Sequence, residues 1–204
     1  MSKVDFKKEL KHLYRPSTKA FGVVEVPAMQ FLMIDGHGDP NTAQEYQEAV
    51  EALYAVAYKL KFASKKELGK DYVVPPLEGL WWTENMDDFS VEDKGAWDWT
   101  MMIMLPEWVS EEMFEGALRQ VKKSKNPPAL PKLRLEVYAE GLAVQIMHVG
   151  SYAAEAPTIA RMHAFIEEQG YEPAGKHHEV YLGDPRKVAP DKLKTVLRQP
   201  VGKV

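Results

Sequence analysis

The sequence predicts an α+β fold in which the order strand, helix, strand, strand occurs twice. Three observations predict it. Short apolar runs bounded by Gly and Pro alternate with stretches of helical period. The same order of elements recurs in the two halves with weak residue identity, the mark of a duplicated, pseudo-two-fold architecture. A hydrophobic content of 45% over 204 residues is enough to close a core.

Residues 1–27 read as a mixed, basic N-terminal extension, with a short helical pattern through Phe6, Leu10 and Leu13 that Pro16 ends. Residues 28–204 read as one domain of two repeats. The first, about 28–125, opens with the strand-like run Met29 to Asp35 and the turn Gly36-His37-Gly38-Asp39-Pro40. That turn has the glycine of a phosphate loop but neither its spacing nor its lysine. Thr42 and Glu45 stand at capping-box distance, and Ala49, Leu53, Val56, Ala57 and Leu60 recur at helical spacing, so a helix is expected over about 42–61. Residues 63–72 read as a charged loop. Leu77 to Trp82 is a predicted strand, separated by an acidic loop from Asn85 to Lys94 from the strand Trp97 to Leu105. Ser110 then opens a helix through Phe114, Ala117 and Val121, with Glu111 and Glu112 in its first turn and lysines in its last.

A proline-rich link, Asn126 to Pro131, leads to the second repeat, about 132–204. Strands are expected over Leu133 to Ala139 and Leu142 to Val149. A helix follows with Pro157 in its first turn, burying Ile159, Met162, Phe165 and Ile166 and ending at Gly170. The strand around Glu179 and the run Thr195 to Val201 complete the repeat, and Gly150 matches Gly38 of the first half. Units of this kind are expected to form antiparallel sheets with helices on one face, leaving the other concave face or the seam between the halves as a ligand cleft.

Composition narrows the function classes. The 26 basic and 30 acidic residues give a formal charge of -4 with no long block of either sign, which argues against a nucleic-acid surface. The absence of cysteine excludes thiol catalysis and thiolate metal sites, and no metal-ligand spacing stands out. No signal peptide is recognisable, and no apolar run approaches the roughly 18 residues of a membrane span, so a cytoplasmic protein is expected.

Strand alternation marks the chemistry. In His177-His178-Glu179-Val180-Tyr181, Glu179 and Tyr181 share a face, while adjacent His177 and His178 point apart and are no metal pair. Counting along the other strands sends Glu78, Leu80 and Trp82, then Trp97 and Trp99, toward that same surface. Aromatic faces attract planar or cationic ligands, and a carboxylate desolvated among them meets a cation or works as an acid or base. His148 and Tyr152, at a strand end beside Val149-Gly150-Ser151, join the list. Ser151 has no partner base in sequence and is not a nucleophile.

With these residues in place, the chain resembles the GyrI-like small-molecule-binding family. The motifs are Phe31-Leu32-Met33-Ile34-Asp35-Gly36 with Gly38-Asp39-Pro40; Pro76 through Trp82; His148-Val149-Gly150-Ser151-Tyr152; and Glu179 through Pro185 with Thr195, Arg198, Pro200 and Val201. The resemblance implies a duplicated, SHS2-like β-α-β-β fold, shared with effector-binding domains of multidrug-sensing regulators whose DNA-binding domain is missing here. It further implies a glutamate at Glu179 that meets cationic or planar drugs. Stand-alone members with the paired tryptophans are linked to hydrolysis of cyclopropanoid DNA-alkylating compounds. The expectation is therefore a cofactor-independent, metal-free hydrolase, monomer or homodimer. Glu179 and Tyr181 would be its catalytic pair, with Trp82, Trp99, Tyr152, Glu78, Trp97 and His148 lining the ligand. The alternatives are a sequestering module without chemistry and a protein-interaction module.

Overall fold

The computed structural model describes residues 3–84 and 94–203, so the expected acidic loop lies outside them except for Lys94. In chain order the elements are helices α1 (Phe6–Glu9) and α2 (Lys11–Tyr14), strands β1 (Gly22–Val26) and β2 (Met29–His37), helix α3 (Gln44–Leu68), strands β3 (Leu77–Trp82) and β4 (Asp98–Leu105), helix α4 (Glu111–Ser124), strands β5 (Arg134–Tyr138) and β6 (Gly141–Val149), helix α5 (Ala156–Glu168), and strands β7 (Tyr171–Pro173), β8 (His177–Tyr181) and β9 (Lys194–Lys203). They fall into two compact units. The first comprises the described residues of Met1–Glu9, Met29–Pro75 and Trp82–Tyr138; the second comprises Leu10–Ala28, Pro76–Trp81 and the described residues of Ala139–Val204.

In the first unit β2 pairs antiparallel with β4 from Gln30↔Leu105 to His37↔Asp98, and with β5 from Met29↔Tyr138 to Met33↔Arg134. The unbroken apolar run Phe31 to Ile34 is buried because both of its faces are covered. Asp35 fastens the three strands, accepting from Thr100 Oγ1 at 2.6 Å and from Arg134 Nη1 at 2.9 Å. α3 lays Ala49, Leu53, Val56, Ala57 and Leu60 onto this sheet and against α4, whose Ser110 cap accepts from the Met113 amide. Two expectations need correction. The cap of α3 is Ala43, without a side-chain bond, and the helix runs through the supposed loop to Leu68, where Gly69 at φ 67° ends it. Its polar last turns are held because Lys61 pairs with Asp71, while Ser64 donates to the Lys70 carbonyl and accepts from the Trp108 indole.

The second unit has the strand order β1-β6-β9-β8-β3, all antiparallel, with β7 on the far end of β9. It repeats the first in plan. The strand before each long helix, β2 or β6, has its return strand on one side, β4 or β9, and an added strand on the other, β5 or β1. The matched turn glycines Gly38 and Gly150 both take positive φ, 97° and 148°. The N-terminal residues are part of this frame. β1 comes from them, and Leu13 and Tyr14 are buried.

Directly opposed residues of antiparallel strands face the same way. One face of the second unit carries Val144, Ile146 and Leu197, on which α5 packs Met162 and Ile166. The other face carries a buried polar network. His178 Nε2 lies 2.9 Å from Glu78 Oε2, and Nδ1 lies 2.9 Å from Glu140 Oε1. Tyr14 donates to Glu78 at 2.9 Å, while Arg198 donates to Glu140 at 3.1 Å and to the Leu13 carbonyl at 2.9 Å. Gln145 accepts from Arg198 Nε and donates to the His12 carbonyl. Since both ring nitrogens meet carboxylates, His178 is an imidazolium, and two cations balance two anions. Burial works against that charge, but Glu140's charge and the hydrogen bonds from Glu140 and Glu78 prevail and raise the pKa to about 9. Burial would likewise push the Glu140 carboxyl up, yet His178 and Arg198 hold it below its usual range.

Two outcomes are expected. A Cβ at Gly36 would stand 2.1 Å from the fully buried Trp99 ring. Gly36→Ala is therefore expected to lower urea-unfolding stability by about 1–3 kcal/mol or more, and an unchanged midpoint would contradict this packing. His178 holds its proton up to about 9 in the folded state against 6.5 ordinarily, so its contribution is complete below about pH 6.5 and is lost as pH rises through 9. Thermal midpoints of the wild type are expected to fall across that window, and His178→Gln to show a flatter profile.

Candidate functional site

β8 divides its side chains between the two faces. His178 and Val180 turn to the charge network, while His177, Glu179 and Tyr181 turn to the side that carries α5. The first expected pair is formed: Tyr181 Oη donates to Glu179 Oε2 at 2.7 Å. Trp81, opposite His177 on β3, donates its Nε1 to Tyr181 Oη at 3.0 Å. An indole nitrogen can only donate, so the chain of bonds has a fixed polarity, with the Tyr181 proton aimed at the carboxylate. Glu179 Oε1 lies 3.3 Å from His177 Nε2, and Glu179 is only 8% exposed.

Tyr152, in the 3-10 turn Tyr152–Ala154 that precedes α5, sets its ring edge-on to Tyr181 at 5.6 Å. Burial, followed by the charges of Glu155, Glu179 and Asp184, raises its phenol to about 12, so it stays protonated. His148 stands opposite Thr195, which in turn stands opposite Tyr181. Its Nδ1 lies 3.4 Å from Thr158 Oγ1, and its Nε2 donates to the Ser151 carbonyl at 3.3 Å. Gly150 is required beside it, since a Cβ there would come within 3.0 Å of Nε2. The pKa of His163 on α5 is lowered, first by its own burial and then by His177.

Glu179, Tyr181, Tyr152 and His148 therefore meet in one neighbourhood of the second unit. Glu78 does not join them. It opposes Val180 and bonds His178 and Tyr14 on the reverse face, because the β3–β8 register places Gly79, not Glu78, opposite Glu179. The same one-residue phase makes Trp81 the tryptophan that bonds Tyr181, where alternation counted within the strand pointed to Trp82. The Glu179 face is also the helix-bearing face of its unit, not a bare one. α5 packs on β6 and β9, and its His163 feels His177 of β8.

Trp82, Trp97 and Trp99 lie in the first unit. Trp99 is fully buried over Gly36, edge-on to Tyr46 at 5.4 Å, and its Nε1 donates to the Gly38 carbonyl. Trp97 is 6% exposed with Lys94 over its ring, and Trp82 is half-buried. Among the described residues no group of three or more His, Asp or Glu is placed to hold a metal ion, and no helix is long and apolar enough to cross a membrane.

The comparisons agree with this geometry. A model of the GyrI-like small molecule binding domain matches residues 20–201. No curated protein matches the chain. An uncharacterized conserved protein of Listeria innocua is 44% identical, with a TM-score of 0.91 over 98% of this chain and 100% of its own. A hydrolase of the same organism is also 44% identical, with a TM-score of 0.89 over the same shares. The C-terminal domain of the regulator EcmrR shares the fold at 12% identity and a TM-score of 0.57, covering 91% of this chain and 98% of that domain. A match spanning nearly all of the chain, on a fold with the expected duplicated units, settles the relationship: this chain belongs to the GyrI-like small-molecule-binding domain family.

Proposed function

We propose that the protein binds planar toxic molecules beside Glu179 and hydrolyses an electrophilic group on them, protecting the cytoplasm from DNA-alkylating cyclopropanoid compounds. The observation that carries this reading is the buried Glu179 carboxylate, fixed by the Tyr181 proton at 2.7 Å with the Trp81 indole behind it. A carboxylate so oriented, in a place with little water, suits general-base work. In the step envisaged, water attacks a ring carbon of a cyclopropane conjugated to a carbonyl while Glu179 takes its proton. The ring C–C bond breaks, its electron pair moves to the carbonyl oxygen, and that oxygen is then protonated. The net change is addition of water. Tyr181, whose proton is engaged by Glu179, orients the base, and Tyr152 supplies an aromatic face. The 44% identical hydrolase from Listeria innocua supports turnover.

The same buried carboxylate among rings suits binding of a cation without chemistry, which is the alternative. Single-turnover loss of a spirocyclopropyl cyclohexadienone separates the two readings. Glu179→Gln is expected to slow it by about 10²- to 10⁴-fold while ligand still binds by calorimetry. Equal rates for the two proteins, or ligand recovered at unchanged mass from the wild type, would leave only the binding role.

A further inference from the structure

The donors of Trp81, Tyr181 and His148 on the Glu179 face are committed. The Trp81 N–H goes to Tyr181, the Tyr181 O–H to Glu179, and the His148 Nε2–H to the Ser151 carbonyl. Arg161 Nη2 donates to Thr158 Oγ1, leaving that hydroxyl's proton for His148 Nδ1. Thr195 is different. It is 0% exposed, and its Oγ1 has no hydrogen-bond partner. Its position on β9 is fixed from both sides, opposite His148 on β6 and opposite Tyr181 on β8. Cross-strand partners share a face, so the orphan hydroxyl is in the row of Tyr181 and His148, with Glu179 on the same face in the next row, opposite Leu197. A buried hydroxyl left unsatisfied is costly, and valine would fill the same space without that cost. An unpartnered donor beside a candidate active site is a group waiting for an acceptor.

We infer that Thr195 is a ligand-binding residue whose hydroxyl donates to a carbonyl oxygen of the bound molecule. This rests on the function proposed above and extends it, because it names the acceptor the ligand must bring. Tyr181 is spoken for by Glu179 and leaves the carbonyl end of the ligand to Thr195. A planar conjugated ketone satisfies both groups, with its oxygen at Thr195 and its electrophilic carbon toward Glu179. As the ring-opening step moves an electron pair to that oxygen, the Thr195 bond strengthens. Thr195 is fully covered, so the ligand reaches it only when a neighbouring side chain moves aside.

The test compares wild type with Thr195→Val and Thr195→Ser, using xanthone as an unreactive planar ketone and the spirocyclopropyl cyclohexadienone as substrate. Thr195→Val is expected to raise the ligand-free thermal midpoint, since it deletes an unsatisfied polar atom. It is also expected to weaken xanthone binding about 3- to 10-fold, the value of one hydrogen bond, and to return the bound carbonyl stretch to its unbonded frequency. Thr195→Ser restores both binding and stretch. A purely structural Thr195 predicts unchanged affinity and stretch in the valine variant, and that result, or no xanthone binding by wild type, overturns the inference. Dienone turnover that depends on Glu179 but ignores Thr195→Val overturns this inference alone. Thr195-dependent xanthone binding with no turnover overturns hydrolysis alone.

Discussion

The imidazolium of His178, held between Glu78 and Glu140, is the constraint on which the second unit depends. Its partners come from β3, from the residue before β6, from β9 through Arg198, and from the N-terminal segment through Tyr14 and Leu13. Such a network is poor evidence for net stability, because desolvating four charges offsets much of their attraction. Its value lies in exclusion. Sliding β8 by one residue would put His177 or Glu179 in the place of His178, and the second of these would crowd a third carboxylate against Glu78 and Glu140, a penalty of several kcal/mol. The register that survives is the one that puts Glu179 opposite Gly79.

That register gives one strand two jobs. His178 and Val180 hold the sheet together on the reverse face, and His177, Glu179 and Tyr181 meet α5's side with polar groups in reach of one another. These side chains are therefore as well fixed as the core. Trp81 joins the two jobs, since its backbone is in the β3–β8 ladder while its indole sets the direction of the Tyr181 proton.

Much of this is legible in the residues alone. The two β-α-β-β repeats, the Ser110 cap, Pro157 in the first turn of α5 and the shared face of Glu179 and Tyr181 all follow from period, capping and turn rules acting over a few residues. The misreadings have a common cause. Residues 63–68 are charged and look like a loop until Asp71, Lys70 and Trp108 are seen to receive Lys61 and Ser64. β1 was hidden in an apparently basic tail because its partner, β6, lies more than a hundred residues away. Trp99 looked like a ligand platform but is the lid on Gly36, an assignment that needs the β2–β4 pairing.

The sequence by itself determined the fold class, the order of elements and the alternation within each strand, because backbone sterics and hydrophobic period are local. It could not determine which face of one strand meets which face of another. Pairing two strands one residue out reverses every side chain, and only the long-range ladder and the buried charges choose between the two registers. The tertiary structure made that choice. It withdrew Glu78 into the framework, brought Trp81 to Tyr181, and left the Thr195 hydroxyl buried and unanswered between His148 and Tyr181.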